Sequence, residues 1–430
     1  MFEKINLLIP FGNFIRNKSL QNFLFLALIQ SSTVLISIIS MPLLIQSIGA
    51  EQFGWVNLSL SIIIVFNILV GFGFNLSAPR EVALNQSNKA ELSQLVSNVF
   101  SAKLLLALFS TVIILIGAYG FNLFEGYQSV LVFSVFLLLS EATFPLWFFQ
   151  GMEKMKLVSI ATIFSKLLFL MGLVLFVQQP SQSHWVNLLL GISGLGVNLC
   201  LLGYIHVVLD IRFYSPQFSS ILRSLQDNLL LFFSNLASHI SINGGLIILS
   251  FFSNGTTLGM YSLAERVVMI LRLFPALIIQ AIFPNASKLY QEDQSAFFSF
   301  LKKVYLGTLT LGALISIGTY LTAPWIISVL SRGELNGAVE YLQLLAAIPF
   351  LACLNVGNIM LLLVTNLRDL LFHASWMFCG YMICVSTVLT HFYGGTGLCI
   401  AILSTEFMVF FICLYLLYRH KKELFYGFYS

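Results

Sequence analysis

Residues 258–284 read LGMYSLAERVVMILRLFPALIIQAIFP, a stretch that is apolar enough to cross a membrane yet carries Glu265, Arg266 and Arg272. One arginine at the centre of a span costs roughly 2.5–3.5 kcal/mol, so two uncompensated guanidiniums would cancel much of the segment's drive to insert. Charges persist at this depth where they face a water-filled cavity or pair with one another. The stretch therefore predicts a membrane helix of a transporter that holds something anionic.

The composition of the whole chain is that of a membrane protein. Its 430 residues are 58% hydrophobic and 9% charged, with a mean hydropathy of +0.93. Soluble domains carry about 25% charged residues. Apolar stretches recur along the whole length, so no separate soluble domain is expected. We predict twelve spans, at about residues 22–45, 55–78, 98–119, 129–150, 158–178, 185–209, 228–251, 258–283, 303–323, 338–365, 370–390 and 397–418.

The two halves of the chain can be aligned at an offset of about 205 residues, as expected for a parallel repeat. The alignment brings Gly54 near Gly259 and Pro79 near Pro284. Such a repeat places the substrate between the halves, near the middle of the membrane. The predicted fold is an all-α membrane protein of two six-helix lobes, residues 1–215 and 216–430, related by a pseudo-twofold axis along the membrane normal.

Basic residues predict the orientation of the chain. With a cytoplasmic N-terminus, nearly all of the 21 Lys and Arg residues fall in cytoplasmic segments, the exceptions being Arg332, Lys166, Arg266 and Arg272. Lys103 is counted among the cytoplasmic residues. Both termini are therefore expected to be cytoplasmic, and the net charge of +4 calls for no nucleic-acid partner. The six cysteines fall in spans without metal-ligand spacing, so we expect free thiols and no metal site.

Three cations and three carboxylates are expected inside the spans: Lys166, Arg266, Arg272, Glu141, Glu265 and Glu406. One interpretation is structural, in which the six neutralise one another in pairs. The other is a hydrated, cationic cavity in which Arg272, Arg266 and Lys166 bind phosphate, because the planar guanidinium suits phosphate oxygens. The sequence leaves both interpretations open.

The spacing along the charged span singles out Arg272. Glu265 precedes it by seven residues, about 10 Å in rise along a helix, which is too far for a tight pair. Arg272 is therefore expected to find its anion elsewhere, and it is the better candidate for phosphate. Glu265 is expected to pair with Arg266 or with a cation of the facing half.

A second role considered for membrane-embedded groups is the transfer of a coupling proton or cation. Glu141, Glu406, Glu265 and His239 are the candidates for ion coupling, or for pairing, because carboxyl and imidazole groups can exchange protons. His239 shares a helical face with Asn235 and Asn243, at spacings of four residues. No cofactor is expected.

Several strings resemble those of the Wzx-type O-antigen flippases, a polysaccharide branch of the multidrug/oligosaccharidyl-lipid/polysaccharide exporter superfamily. They are GFGFNLSAPREVA at 71–83, FPLWFFQGMEKMKLVSI at 144–160, and GMYSLAERVVMI at 259–270 followed by LIIQAIFPNASK at 277–288. The resemblance covers nearly the full chain. The related lipid II flippases carry arginines in the first span, and residues 20–45 of this chain have no charge.

The resemblance implies an exporter of undecaprenyl-pyrophosphate-linked oligosaccharide from the inner to the outer leaflet of the bacterial inner membrane. It implies alternating access around a cationic cavity, counter-ion coupling, and a polysaccharide polymerase with its chain-length machinery as partners. A cation-coupled multidrug-type exporter is the alternative, since Glu141, Glu265 and Glu406 could bind cations. An enzyme is disfavoured, because the short outer loops carry no acidic pair for catalysis.

Overall fold

The computed structural model describes residues 18–121, 126–214, 218–365 and 368–429, and these residues form helices and short connections. In chain order the helices are α1 (Lys18–Gly71), α2 (Phe74–Leu84), α3 (Lys89–Leu115), α4 (Gln128–Ser134), α5 (Phe136–Thr143), α6 (Leu146–Gly151), α7 (Met155–Phe176), α8 (His184–Val207), α9 (Phe218–Asn243), α10 (Gly245–Ser250), α11 (Gly255–Leu271), α12 (Leu273–Glu292), α13 (Gln294–Ser331), α14 (Ala338–Leu345), α15 (Ile348–Leu354), α16 (Val356–Val364), α17 (Arg368–His420) and α18 (Lys422–Tyr429). The predicted all-α class is confirmed.

Nine helical stretches of the described residues are long and apolar enough to cross a membrane. Two of them, Leu24–Leu84 and Phe372–His420, contain 61 and 49 residues, enough for two predicted spans each. They are kinked at Gly49 (φ 78°) and Gly394 (φ 57°), where only glycine adopts the left-handed backbone at little cost. The chain is therefore a multi-pass membrane protein, while the count of twelve and the pseudo-twofold axis stay predictions.

The described residues form two compact units, one of 18–48 and 62–235, the other of 49–61 and 236–429. The short segment 49–61 thus belongs with the C-terminal residues. The predicted lobe boundary at residue 215 stays a prediction.

Within the first unit, α5 packs directly on α8. A Cβ on Gly191 would lie 2.8 Å from Cβ of Phe136, so only glycine lets the two helices approach this closely. The Asn187 side chain donates to Ser134 Oγ across 2.9 Å, and the Asn198 side chain donates to the Ser140 carbonyl across 2.9 Å. Amide side chains of α8 therefore bind both α4, which ends at Ser134, and α5, which contains Ser140.

Within the second unit, the segment 49–61 of α1 crosses α11 at backbone contact distance. A Cβ on Gly54 would meet the carbonyl oxygen of Gly255 and would lie 2.7 Å from the amide nitrogen of Gly259. A Cβ on Gly259 would in turn meet the carbonyl oxygen of Ala50. The predicted offset pairs 50 with 255 and 54 with 259, so these contacts are reciprocal between equivalent positions. The repeat as a whole stays a prediction.

A break in the GFGFN string ends α1. Phe72 (φ 40°) and Gly73 (φ 81°) both adopt left-handed backbone, and α2 starts at Phe74. A Cβ on Gly73 would lie 2.9 Å from Cβ of Leu231, while the Phe72 ring stacks on Phe232 with centroids 4.4 Å apart. The glycine thus serves a turn and a close approach to α9 within the first unit.

Candidate functional site

The charged stretch forms two consecutive helices with Arg272 at their junction. The Asn254 side chain caps α11 by accepting from the Thr257 amide across 3.0 Å. Pro275 has no N–H for the carbonyl four residues earlier, which is that of Leu271, the residue where α11 ends. Arg272 therefore lies at a break in the helix, inside an apolar segment.

Arg272 forms an ion pair with Glu406 of α17, through Nη2 and Oε1. The guanidinium side chain is 25% exposed, whereas the carboxylate side chain is 8% exposed. The anion that the sequence argument expected elsewhere for Arg272 is thus Glu406. The role of Arg272 in phosphate binding stays a prediction.

The ion pair lines a cavity of about 500 Å³ within the second unit. Its polar wall consists of the ion pair together with Ser238, Ser241, Asn355, Ser375 and Thr405. The remaining lining is apolar and includes Met269, Pro275, Phe378, Ile402 and Val409. A cavity with one ion pair, several hydroxyl and amide groups and an apolar surround fits a ligand that combines charge, hydroxyls and hydrocarbon.

The other two charges of α11 have partners of their own. Arg266 donates to Oδ1 of the buried Asn57, with its Nε 2.9 Å away. The Tyr261 hydroxyl donates to Glu265 Oε1 across 3.0 Å, and Tyr261 is fully buried. Tyr261 is one turn from Glu265, so their contact could have been read from the spacing. Nothing in the sequence connects Asn57 with Arg266.

A second ion pair inside the helices lies in the first unit. Lys103 Nζ is 3.3 Å from Glu141 Oε1, and the lysine side chain is only 1% exposed. Lys103 lies in the middle of α3 and is buried, so it is not a solvent-exposed charge, and its placement on the cytoplasmic side stays a prediction. The predicted span of 98–119 contains Lys103, and the predicted span of 129–150 contains its partner Glu141.

Replacing Lys103 by methionine is expected to lower the free energy of unfolding by about 3 kcal/mol, because Glu141 is left without its cation. This loss of stability is at the lower end of the range of about 3–5 kcal/mol for breaking a buried ion pair, since the carboxylate side chain is 24% exposed. Thermal unfolding in detergent measures the change. Lys103→Met combined with Glu141→Leu should recover most of the stability, and a double variant no better than the single one would contradict this role for the pair.

The remaining predicted site residues lie on other helices. Lys166 is on α7 of the first unit and is partly buried. His239 is exposed on α9 and lies beside Asn243, with His239 Nδ1 3.5 Å from the amide nitrogen. The roles of Lys166 in phosphate binding and of His239 and Glu141 in ion coupling stay predictions.

Two of the strings that resemble the flippases contact each other in the first unit. A Cβ on Gly151 would lie 2.6 Å from the Pro79 carbonyl oxygen and from Cβ of Val82. Just beyond the first string, the Gln86 side chain donates to the Gly151 carbonyl across 2.7 Å. These strings therefore encode a tight contact of α2 with α6, which is a feature of the fold.

Comparison with known proteins gives a family match and a relative of known description. The family model described as polysaccharide biosynthesis protein matches residues 19–290. A protein of Shigella dysenteriae described as "Putative O-antigen transporter" is 26% identical over 397 residues, which are 90% of this chain and 97% of that protein.

Two solved structures share the fold. A multidrug resistance MATE family transporter of the MOP superfamily, in an inward-facing conformation, superposes with a TM-score of 0.73 at 11% identity, over 93% of this chain and 99% of that one. The lipid II flippase MurJ, in an inward closed conformation, superposes with a TM-score of 0.71 at 13% identity, over 94% and 89%. At these identities the likeness establishes the architecture alone.

Proposed function

Since the chain belongs to the polysaccharide biosynthesis protein family, we propose that it is a flippase for undecaprenyl-pyrophosphate-linked oligosaccharide. It moves O-antigen units from the cytoplasmic to the periplasmic leaflet of the bacterial inner membrane by alternating access. The family match, together with the relative described as a putative O-antigen transporter, supports this proposal. The chain acts as a transporter, and no enzymatic step is proposed.

The observation that carries this proposal is a guanidinium in the wall of a membrane-embedded cavity. A pyrophosphate with attached sugars cannot cross hydrocarbon, so its carrier needs a cation and polar groups at membrane depth. Arg272 supplies the cation, and Ser238, Ser375 and Asn355 supply hydroxyl and amide groups for sugar or phosphate oxygens. Arg266 and Lys166 are the further cations of the proposed substrate path.

Charge balance argues against the multidrug alternative. An exporter of organic cations would present carboxylates to its substrate, but Glu406 is already bound to Arg272 and Glu265 accepts from Tyr261. Glu141 likewise has Lys103 as its partner. Each of the three carboxylates therefore already has a donor or cation beside it.

Coupling and partners follow from the same proposal. Counter-transport of a proton or cation drives the cycle, through His239, or through Glu141 or Glu406 in a state in which its ion pair with Lys103 or Arg272 has opened. Both termini are cytoplasmic, and a polysaccharide polymerase with its chain-length machinery takes up the units delivered to the periplasmic side.

Deleting the gene is expected to trap lipid-linked oligosaccharide on the cytoplasmic face, because the headgroup has no other route across the membrane. The measurement is the sidedness of the oligosaccharide, read by an impermeant glycan-modifying reagent in right-side-out and inverted vesicles. A plasmid copy of the gene is the matched control and should restore surface polysaccharide. Unchanged sidedness, in a strain without a second flippase, would contradict the proposal; resistance to organic cations without a glycan effect would favour the multidrug alternative.

A further inference from the structure

We propose that Glu406 is the resident counter-ion that the substrate's phosphate replaces on Arg272, so that transport proceeds by exchange of one anion for another. This inference rests on the proposed function and specifies how its binding site is regulated. It assigns to Glu406 a part in setting substrate affinity and release.

The geometry of the pair allows such an exchange. The Arg272 side chain is more open than that of Glu406, at 25% against 8%, and both line the cavity. A guanidinium has five N–H donors, and the ion pair with Glu406 is made through Nη2. A phosphate that enters the cavity can therefore bind other N–H groups of Arg272 before the carboxylate leaves.

The electrostatics of a membrane interior favour exchange over simple binding. An unpaired guanidinium among apolar helices is costly, so the cavity needs an anion at Arg272 whether or not substrate is bound. Glu406 provides that anion in the unloaded state, and the pyrophosphate provides it in the loaded state. The Arg272 guanidinium thus has an anion bound to it throughout the cycle.

The released carboxylate has nearby groups that can receive it. Ser375 and Asn355 lie in the same cavity wall, whereas the hydroxyl of the preceding Thr405 already donates to the Ala401 carbonyl. Hydroxyl and amide groups can donate hydrogen bonds to a carboxylate. When phosphate leaves, Glu406 pairs with Arg272 again and prevents immediate rebinding.

This competition predicts how the affinity for phosphate changes when Glu406 is replaced. Because Glu406 and phosphate compete for one cation, removing the carboxylate should tighten phosphate binding and slow release. A glutamine at 406 keeps the size and hydrogen-bonding capacity of the side chain but loses its charge. A structural ion pair alone makes the opposite prediction, since loss of one partner would then disturb the site and weaken binding.

The test uses the full chain in lipid nanodiscs, with undecaprenyl pyrophosphate as the probe and uncharged undecaprenol as the matched control lipid. Glu406→Gln is expected to bind the pyrophosphate at least about tenfold more tightly than the unmodified chain, with undecaprenol unaffected. Glu406→Asp, which keeps the charge on a shorter side chain, should lie between the two. Surface polysaccharide should appear more slowly in cells that carry Glu406→Gln.

The experiment gives different results if the proposed function is wrong and if only the exchange at Arg272 is wrong. If neither the unmodified chain nor Glu406→Gln prefers the pyrophosphate to undecaprenol, and Arg272→Gln changes nothing, the proposed function is wrong at this site. If binding depends on Arg272 but Glu406→Gln leaves it equal or weaker, the exchange is wrong and the proposed function stands. Should Glu406→Gln fail to fold, as judged by thermal unfolding, the affinity of Glu406→Asp decides: no tightening overturns the exchange.

Discussion

A chain with Arg272→Glu is expected to lose transport and most of its folded protein, because two carboxylates then face each other in the cavity wall. Breaking a buried pair costs about 3–5 kcal/mol, and a repulsive pair costs more, which is comparable with the whole stability of many domains. The yield of monodisperse protein after detergent extraction measures the folding defect. Surface polysaccharide in a deletion strain measures transport.

The charge-swapped chain, Arg272→Glu with Glu406→Arg, separates stability from function. It restores an ion pair between the same helices, so the yield of folded protein should recover to more than half of that of the unmodified chain. Transport should stay absent, since the cation now lies on α17, at the less exposed end of the pair. If Arg272→Glu alone supports transport, Arg272 does not bind phosphate; if the swapped chain supports transport, the position of the cation within the pair does not matter.

Much of the fold was accessible from the sequence because the membrane imposes simple rules. Apolar composition and span length predicted an all-α membrane chain, whereas the predicted span of 258–283 did not include the break beside Arg272. The pairing of Arg272 with Glu406 was not accessible, since the two residues are 134 positions apart and only the packing of α17 brings them together. The same holds for Arg266 and Asn57, which are 209 positions apart.

The family strings and the candidate site carry different information. Gly151 and Pro79 define a close contact between helices, and a string that preserves such a contact indicates the architecture. Arg272 lies between the two quoted strings of residues 259–270 and 277–288. The substrate is therefore inferred from the residues that line the cavity. The strings indicate the family to which the chain belongs.

Gly54→Leu and Gly259→Leu are each expected to prevent accumulation of folded protein, because a side chain at either position collides with the backbone of the other helix. Side-chain crowding typically costs about 1–3 kcal/mol through rotamer changes and small shifts. Here the colliding atoms are the carbonyl oxygens of Gly255 and Ala50, so two helices would have to separate. The cost should exceed that range, and size-exclusion profiles of the extracted protein would reveal it.

The control is Gly307→Leu on α13, where a Cβ would meet nothing within 4 Å. Leucine is the better helix former, since glycine is about 0.8–1.0 kcal/mol less favourable than alanine in a helix interior and leucine ranks next to alanine, so Gly307→Leu should fold at least as well as the unmodified chain. Because the contacts of Gly54 and Gly259 are reciprocal, Gly54→Ala and Gly259→Ala should reduce stability by similar amounts. If one is tolerated and the other is not, the crossing is not reciprocal in the folded protein. The offset of about 205 residues would then lose the support of this contact, because a parallel repeat relates equivalent positions in the same way.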